Sequence, residues 1–206
     1  MNKYSFLGLI LGSTFISSTA FAAVDPEVSY ILNTLLFLIG GFLVMWMAAG
    51  FAMLESGLVT SKSVATIAAK NIGLYSIAGL MFWFIGYNLA YGIPEGGFIG
   101  TFLPWSDASS IETGYSDGSD WFFQMVFCAT TCSIVSGTLA ERIKIWPFFL
   151  FCAILAGIIS PIEMGWQWGG GHLAAAGFSD FAGSTLVHSA GAVSYTHLTL
   201  PTIYSV

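Results

Sequence analysis

An all-α membrane protein, a bundle of about five transmembrane helices, is the fold class that three features of this chain predict. First, 56% of its 206 residues are hydrophobic and only 8% are charged, against about 25% charged in a soluble domain. Second, the apolar residues fall into long, nearly uncharged runs of helical length, not into the short alternating runs of a barrel. Third, 24 glycines and a 16% aromatic content suit helices that approach closely in lipid. The same numbers exclude disorder, which needs low hydrophobicity and high charge. A net charge of −6 with 5 Lys+Arg argues against a nucleic-acid partner.

The chain opens with Lys3 and a mostly apolar run from Tyr4 to Thr19, closed by Ala20-Phe21-Ala22. This is the pattern of a secretory signal peptide, residues 1–22, with cleavage leaving Ala23 first. The alternative is an uncleaved helix, for which the run is short. Four apolar segments follow: Tyr30 to Leu54, Ile72 to Gly92, Trp121 to Leu139, and Ile145 to Met164. Each is long enough to cross the hydrocarbon core as a helix. In the fourth, Pro147 falls in the first turn, where its missing N–H costs little, and Pro161 is expected in the last. Cys128, Cys132 and Cys152 lie inside apolar runs and read as small buried hydrophobes, not a disulfide framework. A metal site at Cys128 and Cys132 lacks a third ligand on that helix.

Orientation follows from the basic residues. Lys62 and Lys70 separate the first two spans, and Arg142 and Lys144 separate the third and fourth. Residues 93–120 contain no Lys or Arg but hold Glu95, Asp107, Glu112, Asp117 and Asp120. The positive-inside rule puts both basic loops in the cytoplasm. The mature N-terminus and the acidic loop then face outward, as a signal peptide also requires. The acidic loop reads as solvated surface, with Trp105 as an interfacial anchor.

The chemically informative stretch runs from Trp166 to Gly191. Asp180 stands before an apolar run rich in small residues, so it can cap a fifth helix. An ionisable residue entering the membrane is equally a functional hypothesis. If that helix starts at Asp180, His188 lies about 12 Å deeper along it, facing protein or water. It can then serve a pore or a helix–helix hydrogen bond. Trp168, followed by Gly169-Gly170-Gly171, reads either as a belt tryptophan or as an indole face offered to a cation. Phe123 and Phe127 share one helix face, as core residues or as an apolar constriction.

At these residues the chain resembles the ammonium transporter family (Amt/Mep/Rh), closer to the bacterial Amt branch. The resemblance is carried by Gly50-Phe51-Ala52-Met53-Leu54-Glu55-Ser56-Gly57-Leu58-Val59, by Ser136-Gly137-Thr138-Leu139-Ala140-Glu141-Arg142-Ile143, by Trp168-Gly169-Gly170-Gly171, and by Asp180-Phe181-Ala182-Gly183-Ser184 with Val187-His188-Ser189. It runs from about Tyr30 to Val193 and implies a membrane domain over 23–193. It further implies eleven helices with the first five and next five as an inverted repeat, a homotrimer with one pore per subunit, and residence in the cell inner membrane. No cofactor is implied. The substrate is ammonium or ammonia, and a cytoplasmic regulatory protein is a possible partner beside the lipid bilayer. By resemblance, Trp168 recruits ammonium at the outer vestibule and Phe123 and Phe127 stack below it. Asp180 orders the recruitment site, and His188 is the first of two pore histidines.

Two departures stand out. Gly165 occupies the position where the family usually has a histidine, three residues before the vestibule tryptophan. Past Val193 the match stops, and residues 194–206 read as a non-native tail whose threonines and Pro201 do not continue a membrane helix. The chain then amounts to about half of a transporter. The alternative function is an ammonium sensor whose output domain lies outside this sequence. An intramembrane enzyme built on Ser189 lacks a strained nucleophile turn and a second acid, so a non-enzymatic role is expected.

Overall fold

The computed structural model describes residues 24–203, and every regular element among them is helical. The signal-peptide segment lies outside the described residues. Helix α1 spans Pro26–Leu58, with Asp25 capping it by accepting from the Glu27 N–H and Pro26 in its first turn, where proline is favoured. Helix α2, Ser61–Tyr91, and helix α4, residues 145–167, return in alternating directions around α3, Asp117–Thr138. A short turn, α5, covers His172–Ala175, and α6 covers His188–Ile203.

Three helical stretches among the described residues are long and apolar enough to cross a membrane: Pro26–Leu58, Ser61–Tyr91 and Ile145–Ala175. The expected third span, α3, is not among them. Its 22 residues are about 33 Å long, but its sequence is diluted by Asp117, Asp120, Gln124 and a run of Ser and Thr. The reason is its position. Helix α3 is the centre of the bundle and packs on α1, α2, α4 and α6, so its surroundings are protein more than lipid. Helix α1 is the opposite case, with only Gly41 and Glu55 buried and Leu36, Trp46 and Met53 outward.

The core runs between α2, α3 and α4 through Leu74, Phe82, Val126, Cys132, Phe148 and Leu155. Both α2 and α4 widen into a π-turn, at Phe82–Gly86 and Leu155–Ile159, and the two wide turns pack together. Pro161 stands two residues past the second, seven residues before Trp168 and not at the helix end as expected. The wider turn absorbs the hydrogen bond that proline cannot make. The three cysteines are free and buried, as their setting predicted. Cys128 Sγ donates to Ala156 O at 3.3 Å, spanning α3 to the π-turn.

The observed ends correct two further expectations. Helix α3 starts at Asp117, so Asp117 and Asp120 belong to its first turn and not to the loop. Acidic side chains are favoured there by the helix dipole. The tail does continue a helix: α6 carries on through Thr196 and Leu198 to Ile203, with Pro201 in its closing turn.

Candidate functional site

At the acidic end of the bundle, aromatic rings form a continuous column. Tyr115 meets Phe37 at 4.9 Å between centroids, and Phe37 meets Phe123 at 5.3 Å. Phe123 meets Phe127 at 5.0 Å and Phe127 meets Trp168 at 5.5 Å. The i, i+4 spacing on α3 brings the two phenylalanines together as expected. Their rings stand at 87°, edge to face and not stacked in parallel, which suits the quadrupoles of the two faces.

Trp168 is held from both sides. Its backbone N–H donates to Met164 O, closing α4. Its indole Nε1–H donates to the Asp180 carbonyl at 2.6 Å. The glycines beside it have a packing cause. A Cβ on Gly169 would stand 2.0 Å from Ala90 O, and one on Gly165 would stand 2.9 Å from the same atom. The end of α4 thus lies directly on the backbone of α2. Gly165, the departure from the family pattern, leaves no room for a histidine in this packing.

Asp180 is 7% exposed, and its carboxylate organises the loop that follows. Oδ1 accepts from the backbone N–H groups of Gly183 and Ser184 at 2.8 and 3.0 Å. Oδ2 accepts from Thr185 and Leu186 at 2.8 and 2.9 Å. Burial pushes the carboxyl up, but these four bonds outweigh it and hold Asp180 below its ordinary value of 3.8. Gly183 has φ +82°, and a Cβ there would meet Val187 Cγ2 at 2.8 Å and Trp168 Cη2 at 3.1 Å. The loop therefore needs glycine for conformation and for contact with the indole.

These bonds make Asp180 a cap and shift the start of the expected fifth helix. Residues 181–187 are bends and turns whose first helical bond runs from Val187 N–H to Gly183 O, and the continuous helix α6 begins at His188. His188 is consequently the first residue of α6 and is exposed, not a residue 12 Å down the helix. The physical reason is that Asp180 stays outside the helix and caps it: its carboxylate takes the N–H groups of residues 183–186, which the first turn of a helix leaves without internal partners.

Sequence reasoning missed a buried ion pair. Lys70 was counted as a loop charge. It lies inside α2, 4% exposed, with Nζ 3.3 Å from Glu55 Oε2 on α1. The signal was available: both residues interrupt apolar helical sequence, and such ionisable residues are functional hypotheses by default. Lys62, Arg142 and Lys144 remain exposed at the same end of the bundle, so the charge asymmetry survives with three residues. A second missed group is Asp120, which is buried and accepts from Tyr87 Oη at 2.6 Å and Gln124 Nε2 at 3.2 Å. Trp105 is not a lone anchor, since its ring lies 5.7 Å from that of Trp121.

The family model for the ammonium transporter family matches residues 35–199, and so extends past Val193, where the sequence reading ends the resemblance. The chain belongs to that family. Among relatives of this ammonium transporter family chain, a putative ammonium transporter of Synechocystis sp. is 38% identical over 197 residues, covering 93% of this chain and 42% of its own length. The ammonium transporter Amt2 of Archaeoglobus fulgidus is 41% identical over 169 residues, covering 75% of this chain and 35% of its own. A solved structure described as Sensor Amt Protein aligns with TM-score 0.74 and 32% identity over 81% of this chain and 43% of its own. The Mep2 structure of Candida albicans aligns with TM-score 0.73 at 24% identity, over 86% of this chain and 40% of its own, and supports the fold alone. The chain thus spans about two fifths of the length of these relatives.

Proposed function

We propose that this chain forms the first half of a membrane protein that carries ammonium across the cell inner membrane. The observation that carries the reading is the column from Phe123 through Phe127 to Trp168, with the indole N–H tied to the Asp180 loop. A cation arriving at the acidic end meets the face of Phe123 and then the joined rings of Phe127 and Trp168. Recruitment by such a face is worth about 0.5–2 kcal/mol.

Magnitudes favour passage as ammonia. Taking a small cation into low dielectric costs of order 20 kcal/mol ideally and several after relaxation. Removing a proton with a lysine-like pKa of about 10.4 at pH 7 costs about 5 kcal/mol. Deprotonation near the aromatic gate is therefore the cheaper route. Asp180 does not serve as the base in this reading, because both its oxygens are engaged by backbone N–H groups. It positions the loop and Trp168. His188, at the head of α6, then faces the path as hydrogen-bond partner of the neutral species, in a homotrimer of complete subunits.

The exposed Lys62, Arg142 and Lys144 support a cytoplasmic basic end and an outward N-terminus. Edman sequencing of membrane-extracted protein is expected to begin at Ala23, and an intact Met1 would contradict the signal peptide. Likeness to the Sensor Amt Protein supports a second reading, an ammonium-binding input domain. A cytoplasmic regulatory partner fits either reading. The test is growth on low ammonium at acidic pH of a strain lacking its own ammonium transporters. Expression of the complete protein is expected to restore growth. No restoration by a membrane-inserted protein would favour the sensor. In the same assay Trp168→Leu is expected to raise the ammonium concentration for half-maximal growth by up to about thirtyfold, the equivalent of about 2 kcal/mol.

A further inference from the structure

At the basic end, α1, α2 and α3 enclose a polar cluster that the aromatic column does not use. Glu55 is 2% exposed. Its Oε2 is saturated: Lys70 Nζ lies at 3.3 Å, Asn71 Nδ2 donates at 3.1 Å and Ser136 Oγ donates at 2.9 Å. Lys70 also donates to Ser136 O at 2.8 Å and lies 5.2 Å above the centre of the Phe148 ring. The other oxygen, Oε1, is buried and has no hydrogen-bond donor among the described residues. A buried acceptor in that state carries a desolvation penalty that any donor arriving there removes.

Glu55 borders a cavity of about 500 Å³ together with Phe51, Leu54, Ile134, Gly137 and Arg142. A Cβ added to Gly137 would stand 3.9 Å from Oε1, so only a glycine separates this side of the carboxylate from the cavity. Ile134 and Thr138 also line the cavity. They continue the α3 stripe begun by Phe123 and Phe127, at intervals of 4, 7 and 4 residues. The cavity therefore lies at the far end of the same helix face that carries the aromatic column.

We propose that Glu55 Oε1 is an ammonium-contacting acceptor at the basic-end mouth of the path, with Lys70 as its positioning residue. This rests on the transport reading above. Ammonium has four N–H donors and no acceptor, which complements a lone acceptor oxygen. Pairing with Lys70 neutralises most of the field of the carboxylate, so a cation is bound weakly and leaves. A pore needs sites of that kind at its ends. A metal ion fits less well, because no cluster of three His, Cys, Asp or Glu side chains occurs among the described residues.

The test uses the complete protein in oriented membrane vesicles, with methylammonium applied to the basic-end side. Glu55→Gln combined with Lys70→Met removes both charges together, which a buried site tolerates better than removal of one. The half-saturation concentration from that side is expected to rise about tenfold, the scale of one lost charge-assisted hydrogen bond. Gly137→Val keeps both charges, places methyl groups between Oε1 and the cavity, and is expected to raise it as well. It decides the question if the double variant does not assemble. An unchanged or lowered half-saturation in transporting vesicles overturns the proposal and leaves Oε1 to a resident water. Absence of flux in the unsubstituted protein would instead overturn the transport reading.

Discussion

Asp180→Ala in the complete protein is expected to lower stability by about 3–5 kcal/mol, the upper range for a single substitution, and to abolish transport. The change removes the only acceptor that four backbone N–H groups have among the described residues, in a turn whose Leu186 and Val187 are 1% and 2% exposed. Each N–H left unsatisfied costs about 1–3 kcal/mol, and partial relaxation toward water keeps the sum below four times that. Trp168 loses its anchor with the loop, since its indole donates to the Asp180 carbonyl. Thermal unfolding in detergent measures the first effect and methylammonium uptake the second. The pH dependence has a defined sign. The folded-state pKa of Asp180 is depressed, so its contribution is fully present above the unfolded-state pKa. It is lost as pH falls through the lower, folded value. Stability from this group therefore persists at pH 5 and fails only in stronger acid. Asp180→Ala should erase that acid-sensitive part. A variant that melts like the unsubstituted protein would contradict the role of the loop.

His188→Ala should behave differently: transport lost, assembly kept. His188 is exposed at the start of α6, and its side chain holds no hydrogen bond within the described residues. Its removal therefore leaves the packing of this half intact. Uptake of methylammonium is expected to fall at least about tenfold, the scale of one lost hydrogen bond to the passing species, with an unchanged melting temperature. Uptake equal to that of the unsubstituted protein would return His188 to a helix–helix or solvent role.

Much of the bundle was legible because apolar length is a strong signal. Tyr30–Leu54 and Ile145–Met164 fall inside α1 and α4, and the second run falls within α2 but for Gly92, just past its end. The centre was harder to read. Asp117 and Asp120 look like loop residues, yet they open α3 because a helix N-terminus favours acid and Asp120 finds Tyr87 and Gln124. The π-turns have no residue signature beyond Pro161 after one of them. At the site, Phe123 and Phe127 were legible by spacing, while Phe37 joins their column only through packing of α1 on α3. The separation of Asp180 and His188 was measured along a helix that the structure replaces, up to His188, with bends and turns. Asp180 caps the helix from outside it, across several residues of turn, and no periodicity reveals the length of that turn. Lys70 was misread because its partner, Glu55, lies on another helix, and charge counts carry no record of pairing.

Family membership fixes the ancestry of this half, and the chemistry of the complete path is best measured without a cell around it. The purified complete protein, reconstituted into liposomes, should be given an inward ammonium gradient while internal ammonium is recorded. The account predicts saturable flux well above that of protein-free liposomes, reduced by Trp168→Leu chiefly at low ammonium and abolished by His188→Ala. Flux no greater than in protein-free liposomes, from a protein shown to be folded and trimeric, would contradict it.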